Sequence, residues 1–331
     1  MEQQPPQPGY TDTELFVPPS TRSPSPFEVA ILLCTYNGQA FLKEQIDSIL
    51  AQTHQEWTLY ISDDGSTDKT IELLEEYQLL IDEQRIKIFN GPRKGFAANF
   101  MSLIRNKGIK ADFFAFSDQD DIWKNNKLER SIQHLALLPS DLPALYCSRT
   151  RLIDEDQNNI GFSPEFKREP TFKNALIQSI SGANTMLLNN AARELLSLIP
   201  DTMKIVAHDW LAYLLTTACG GRVVYDQEPT LDYRQHGGNL IGAGSSIKER
   251  MIRFQKLIDG QFRDWSDLNL KALEIVENKL PPENHQTLID FRQGRQDSFF
   301  TRLRLMKKSG IYRQTLMDNI SLAIAICLNK I

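Results

Sequence analysis

Asp118-Gln119-Asp120-Asp121 puts three carboxylates within four residues, directly after the apolar stretch Phe113 to Phe116. Like charges crowded in this way are tolerated where a divalent cation or a cationic partner neutralises them. Hard ions such as Mg2+ or Mn2+ take oxygen ligands and commonly keep phosphates in their shell. The alternative reading is a solvated acidic loop that caps the following helix, the usual fate of an isolated Asp-x-Asp pair. The surroundings decide between the two.

Elements that would position this loop are legible from Phe27 onward. Residues 28–36, EVAILLCTY, form a continuous apolar run, as expected of a strand buried on both faces of a parallel sheet. Residues 40–52 carry Phe41, Gln45-Ile46 and Ile49-Leu50 at helical spacing, and 58–62 read as a second strand, stopped by Asp63-Asp64-Gly65. Ser66, Thr67 and Asp68 supply capping chemistry for a helix to about Leu80. Residues 85–90 predict a strand, 95–104 a helix, 112–118 a strand and 125–138 a helix. This alternation implies a doubly wound parallel sheet, whose ligand crevice lies beyond the carboxyl ends of the strands. Tyr36, Asp63-Asp64, Asn90 and Asp118 to Asp121 all fall at such ends, so four polar clusters converge on one rim. Further on, 144–154 reads as one strand and 208–218 as a helix opening with His208-Asp209. Residues 221–226 and 229–236 read as short strands with an antiparallel pairing between them. From about Ser245 the chain looks helical, with Ile247, Met251, Phe254, Leu257 and Ile258 as apolar positions.

The whole chain sets bounds on function. A net charge of −5 argues against general nucleic-acid binding. The four cysteines stand far apart with no CxxC pair, so a reducing cytoplasm is the expectation rather than a zinc site or a disulfide framework. Residues 1–27 hold seven of the sixteen prolines and no apolar core, which reads as a disordered leader rather than a secretory signal. The longest apolar run, Ile320 to Leu328, is too short to span a bilayer.

In combination, ILLCTYNGQAFLKEQIDSILAQT, then ISDDGSTDKT, then FSDQDDIWKNNKL resemble the family-2 glycosyltransferases over about residues 28–240. The wording DQDDIW, with the later HDW and YRQHGGN, most resembles bacterial rhamnosyltransferases of cell-surface polysaccharide synthesis. The resemblance implies an α/β fold of the GT-A type (Rossmann-like, nucleotide-diphospho-sugar transferase), a mostly parallel sheet flanked by helices. It divides the chain into a nucleotide-binding half at 28–140, an acceptor half at 141–244 and a helical C-terminal extension at 245–331. It implies a nucleotide-sugar donor, a glycan or lipid-linked acceptor and a divalent cofactor, Mn2+ or Mg2+.

Roles follow from the same resemblance. Tyr36 sits where the family places a side chain beside the nucleobase. Asp64 matches the carboxylate that accepts the pyrimidine N3–H, a donor that uracil and thymine have and cytosine lacks. Gly95 and Asn99 match the block that closes over base and ribose. Asp118 would touch the ribose, Asp120 would hold the metal, and Asp121 is an additional acid. Asp209 occupies the position of the catalytic base that deprotonates the acceptor hydroxyl in an inverting transfer. At a helix start it would be kept ionised. His236 matches a histidine that completes the metal site in many relatives, Arg234 would face the diphosphate, and Gly182-Ala183-Asn184-Thr185 would lie under the sugar. Two rival functions share the acidic sheet edge: a nucleotidyltransferase making nucleotide-sugars, and a non-catalytic nucleotide-sugar-binding assembly protein.

Residues 299–313 carry Arg302, Arg304, Lys307, Lys308 and Arg313 with no acid, interleaved with aromatic and aliphatic side chains. Such a helix suits an anionic membrane surface, and peripheral contact through 299–328 on the inner face of the plasma membrane is the expectation. Its counter-reading is a helix packed on the catalytic domain with a basic outer face.

Overall fold

The computed structural model describes residues 27–236 and 260–331. The Pro-rich leader, apart from Phe27, and the apolar positions Ile247 to Ile258 lie outside the described residues.

Seven strands form the main sheet, in the order β10-β6-β9-β4-β1-β2-β3. They are β1 (Val29–Thr35), β2 (Trp57–Asp63), β3 (Ile86–Asn90), β4 (Phe113–Ser117), β6 (Ala144–Ser148), β9 (Leu187–Asn189) and β10 (Arg222–Asp226). Strands β4, β1, β2 and β3 run parallel, and β9 is wedged antiparallel between β4 and β6. All seven residues of β1 are buried, and its period-two alternation serves both faces of the sheet. Val29, Ile31 and Leu33 pack with α1 (Leu42–Leu50), α2 (Thr70–Ile81) and α4 (Lys127–Leu135). Ala30, Leu32 and Cys34 pack on the other side with α3 (Phe96–Arg105), α6 (Asn190–Ser197) and α7 (His208–Ala218). A run buried on both faces has no polar alternation to show, which is why 28–36 reads as unbroken apolar sequence.

A second sheet, β5-β11-β7-β8, stands beside the acidic loop. Its strands are β5 (Ile122–Trp123), β7 (Arg151–Ile153), β8 (Asn159–Phe162) and β11 (Leu231–Arg234). Two expectations fail here. Residues 144–154 are two strands in different sheets, and 222–226 and 231–234 do not pair with each other. Instead the two segments cross from sheet to sheet side by side, β6 parallel to β10 and then β7 parallel to β11. The crossing is pinned at Arg149 and Thr150, where Arg149 N donates to Asp226 O at 2.9 Å and Thr150 N to Ser163 Oγ at 3.0 Å.

Between β8 and β9 lies the one-turn helix α5 (Phe172–Ala175). The C-terminal helices are α8 (Gln261–Val276), α9 (Pro282–Gln296), α10 (Phe299–Ser309) and α11 (Leu316–Cys327). Leu270, Leu273, Leu288, Phe291 and Met306 join the same apolar cluster as α7. Asn284 of α9 donates to Thr217 O and Ala218 O, satisfying orphan carbonyls at the end of α7.

Candidate active site

Four strand ends build the rim. Thr35 pairs with Asp63 and Asp63 with Asn90, while Ser117 is level with Leu33, so the loops after β1, β2, β3 and β4 open on the same side. The acidic loop is held from several directions. Gln119 bonds both backbone groups of Tyr36, accepting from N at 2.8 Å and donating to O at 3.1 Å. Gly38 leaves room for this contact, because a Cβ there would lie 2.3 Å from Gln119 Oε1 and would push that side chain aside. Asp121 is buried and accepts from Asn184 Nδ2 at 2.6 Å. Burial and the neighbouring charges of Asp120 and Asp118 hold its carboxyl well above the usual range. Trp123 is buried beneath the loop, with the buried ammonium of Lys127 4.4 Å from its ring centroid.

Arg234 departs from expectation. Its guanidinium is fully buried and is engaged by protein groups. Nε donates to Asp120 O and Nη1 to Glu155 O, both at 3.0 Å, and Nη2 pairs with Glu44 of α1. The ring of Phe41 lies 4.5 Å from its centre and also contacts His236, with centroids 5.0 Å apart. Arg234 therefore fixes the main chain of the acidic loop. Two residues beyond the end of β11, His236 Nε2 lies 2.8 Å from Asp120 Oδ2.

On the nucleotide side, Tyr36 is 58% exposed and free to present its ring to a flat ligand. The Asp64 carboxylate accepts from Arg93 N at 2.6 Å and Gly95 N at 2.8 Å, which shapes the loop between β3 and α3. A carboxylate offers about four acceptor sites, so both oxygens keep capacity for a further donor. Gly95 adopts φ +85°, in the region that favours glycine. Asn99 is buried rather than turned to the crevice: it exchanges hydrogen bonds with Ser62 Oγ at 2.6 Å and Ser62 O at 2.8 Å. Helix α2 begins at Thr70 with Lys69 at its N-cap, and Ser66 and Asp68, read only as helix caps, accept from Asn37 N at 2.8 Å and Gln39 N at 3.2 Å and so hold the loop after β1. Asp63 ties the same turn, accepting from Thr35 Oγ1, Gly65 N and Ser66 N.

Asp209 lies in the first turn of α7, its Oδ1 accepting from Trp210 N at 2.7 Å. Trp210 is anchored in turn by Nε1 to Ala175 O at 2.7 Å and by an edge-on contact with Trp265. Burial pushes the Asp209 carboxyl up to about 6. Burial, then the charges of Asp120 and Asp209, push Asp118 up to about 7. Asp209 therefore shares an electrostatic neighbourhood with the acidic loop. His208 does not compete for its role. Its ring is buried between Phe100, Phe116 and Phe96, with the Phe100 centroid 4.1 Å away, and burial drives it down to about 3. Neither ring nitrogen has a partner among the described residues.

Among the described residues no three His, Cys, Asp or Glu side chains stand together as a ready-made metal cage. The Asp120 and His236 pair, with Asp118 close enough to feel the Asp120 charge, is a sparser donor set. It fits a hard divalent ion that takes part of its shell from phosphate oxygens and water, as Mg2+ and Mn2+ do.

Residues 30–196 match the family described as Glycosyl transferase family 2. The chain belongs to this family and is a glycosyltransferase. It is 32% identical over 234 residues to the dTDP-rhamnosyl transferase RfbG of Shigella flexneri, covering 67% of this chain and 77% of that protein. It is 34% identical over 122 residues to WfgD of Escherichia coli, a UDP-Glc:alpha-D-GlcNAc-diphosphoundecaprenol beta-1,3-glucosyltransferase, covering 36% and 44% of the two chains. In structure it is similar to S. aureus TarS 1-349 in complex with UDP-GlcNAc, at TM-score 0.51 and 14% identity over 86% of this chain and 93% of that one. It is also similar to GalNAc-T7 with UDP, GalNAc and Mn2+, at TM-score 0.52 and 10% identity over 90% and 57%. The fold is GT-A, an α/β sheet with flanking helices and a helical C-terminal region.

Glu44 and Phe41 carry no local signal of this role, since in the sequence they look like ordinary residues of an amphipathic helix start. Gln119 could have been found, since a neutral amide between acids is free to bind backbone where a carboxylate would be repelled.

Proposed function

We propose that this glycosyltransferase is metal-dependent and inverting, and moves a sugar from a UDP- or dTDP-sugar to a hydroxyl of a cell-surface polysaccharide or lipid-linked glycan. The observation that carries the reading is the meeting of Asp120 and His236 on the rim that also holds Asp118 and Asp209. The name of the Shigella flexneri relative supports dTDP-rhamnose as the first donor to test. The name of the Escherichia coli relative supports an acceptor on a diphospho-lipid. Residues 28–244 would carry the transfer, and 245–331 would form the extension.

In this mechanism Tyr36 stacks beside the base, Asp64 accepts from the pyrimidine N3–H, with Gly95 at the edge of that site, and Asp118 binds ribose. Asp120 and His236 would hold the ion, and the chemistry it supplies when bound is neutralisation of charge on the leaving diphosphate. Asp209 takes the proton from the acceptor hydroxyl as that oxygen attacks the anomeric carbon from the face opposite the nucleotide. Arg234 and Asn99 act at one remove, holding the loops that carry these groups. The nucleotidyltransferase and non-catalytic alternatives give way to the family membership.

The test is product analysis with dTDP-rhamnose and UDP-sugars, a lipid-linked glycan acceptor and Mn2+ or Mg2+. Metal-dependent release of nucleoside diphosphate with an inverted anomeric product is expected. Retention of configuration, or full activity in chelator, would overturn the corresponding part.

A further inference from the structure

Helix α11 lies against the protein by the side bearing Leu322 and Ala325 and turns an apolar side outward. Leu316, Met317, Ile320, Ile324 and Leu328 are 78%, 65%, 49%, 38% and 53% exposed, and Ala323 and Cys327 between them are exposed as well. At 3.6 residues per turn these positions form one stripe, ~18 Å long, with no polar side chain on it. A surface helix of a globular protein buries its apolar stripe; this one displays it. The polar residues of α11 are turned aside and satisfied locally, Asp318 by Thr315, Asn319 by Arg313 and Thr315, and Ser321 by Met317.

A basic edge accompanies the stripe. Helix α10 runs antiparallel to α11: Arg302 donates to Ile326 O at one end, and Arg313 N, just past the other, donates to Asn319 Oδ1. Arg302 itself is buried, so of the five cations that 299–313 carries this one is not available to a membrane surface. Lys308 pairs with Asp290 at 3.0 Å. Arg304 and Lys307 remain at the surface and form no ion pair among the described residues, and Phe300 is 82% exposed beside them in sequence.

We propose that the outer face of α11, with the exposed Arg304 and Lys307 of the adjoining helix α10, lies on the surface of an anionic lipid bilayer. An apolar stripe with basic residues at its margin is the composition of a helix lying in the plane of the headgroups. No described helix is long and apolar enough to cross a membrane, so the contact is from the side. A second copy of the chain would bring the same basic edge to the interface, whereas anionic headgroups complement it. The inference deepens the reading of a lipid-linked acceptor and rests on it for the choice of lipid over a protein partner.

Flotation of the full chain with phosphatidylglycerol–phosphatidylcholine vesicles, without donor or acceptor, tests it. Binding is expected to fall about fivefold for each of Arg304→Ala and Lys307→Ala. The double change Ile320→Glu with Ile324→Glu should weaken it more than about tenfold, with melting temperature unchanged. Transfer to a detergent-solubilised acceptor is followed in parallel: loss of transfer with vesicle binding intact would sink the catalytic reading and leave this one standing. The lipid surface is overturned by absence of vesicle binding, by equal binding to pure phosphatidylcholine, or by binding that the double variant retains. It is equally overturned by a dimer that the double variant splits, or by a fall in its melting temperature, which would mean that protein covers the face.

Discussion

His236 Nε2 and Asp120 Oδ2 lie 2.8 Å apart, although 116 residues separate them in the chain. The contact exists because β11 enters the second sheet beside β5, directly after the acidic loop, and because Arg234 bonds the Asp120 carbonyl two residues before His236. Asp118 stands in the same neighbourhood with its carboxyl pushed up to about 7 by burial and by the charges of Asp120 and Asp209. Below that pH Asp118 holds a proton that a cation must displace, so Mn2+ binding should release protons near pH 6 to 7 and weaken as pH falls. Calorimetry in buffers of different ionisation enthalpy measures the release. Binding with no proton release across that range would place the ion elsewhere.

Replacing Asp209 by Asn should remove the base and lower the transfer rate ~10²–10⁴-fold. The folded-state value of about 6 lies above the ordinary value of 3.8, so ionisation of Asp209 opposes folding above pH 6. The same substitution should therefore raise stability at pH 8 by on the order of 1–2 kcal/mol, read by denaturant unfolding. In the unaltered enzyme the rate at saturating donor and metal should fall tenfold per unit as pH drops below about 6, because only the ionised form accepts the proton. A flat profile down to pH 5 would assign the base to another group.

The sequence carried the parallel half of the fold because β1 to β4 are short apolar runs ended by Asn-Gly, Asp-Gly and acidic clusters, signals that local physics writes directly. The convergence of Tyr36, Asp64 and Asp118 followed from topology alone. What stayed hidden depends on long-range pairing. Residues 144–154 read as one strand because nothing local marks the change of sheet at Arg149. Arg234 read as a diphosphate ligand because charge is visible in a sequence and burial is not. Asn99 read as part of the block that closes over base and ribose, and its hydrogen bonds to Ser62 depend on the pairing of β2 with α3 that no local signal shows.

Arg234 and Glu44 provide a test of that distinction. As a loop clamp, Arg234 should act on the fold and the metal loop together. Glu44→Gln removes the carboxylate that pairs with the buried guanidinium, so stability should fall by about 1–3 kcal/mol, reduced because Glu44 is partly exposed. The Mn2+ requirement should rise at the same time. Arg234→Lys cannot reproduce three directed N–H bonds and should show both effects. A variant with unchanged stability and a raised KM for donor alone would return Arg234 to the diphosphate.

His208 supplies the complementary case, a buried residue next to Asp209 in the chain to which the proposed mechanism gives no role. Its two ring nitrogens, without a partner among the described residues, lie between three phenylalanines, where an unsatisfied buried polar atom costs about 1–3 kcal/mol. His208→Phe should leave transfer within a few-fold and raise stability by about 1–2 kcal/mol, less than the full penalty because the larger ring must be fitted. The pH dependence has a defined sign. The folded-state value is depressed to about 3, while the unfolded chain titrates near the ordinary 6.5, so this group's contribution is complete above 6.5 and is lost as pH falls toward 3. The phenylalanine variant lacks that proton uptake, so its advantage should widen as pH is lowered through this window. Denaturant titrations at pH 7, 5 and 4 measure the difference. An activity loss as deep as that of Asp209→Asn, with stability raised, would instead make His208 part of the reaction.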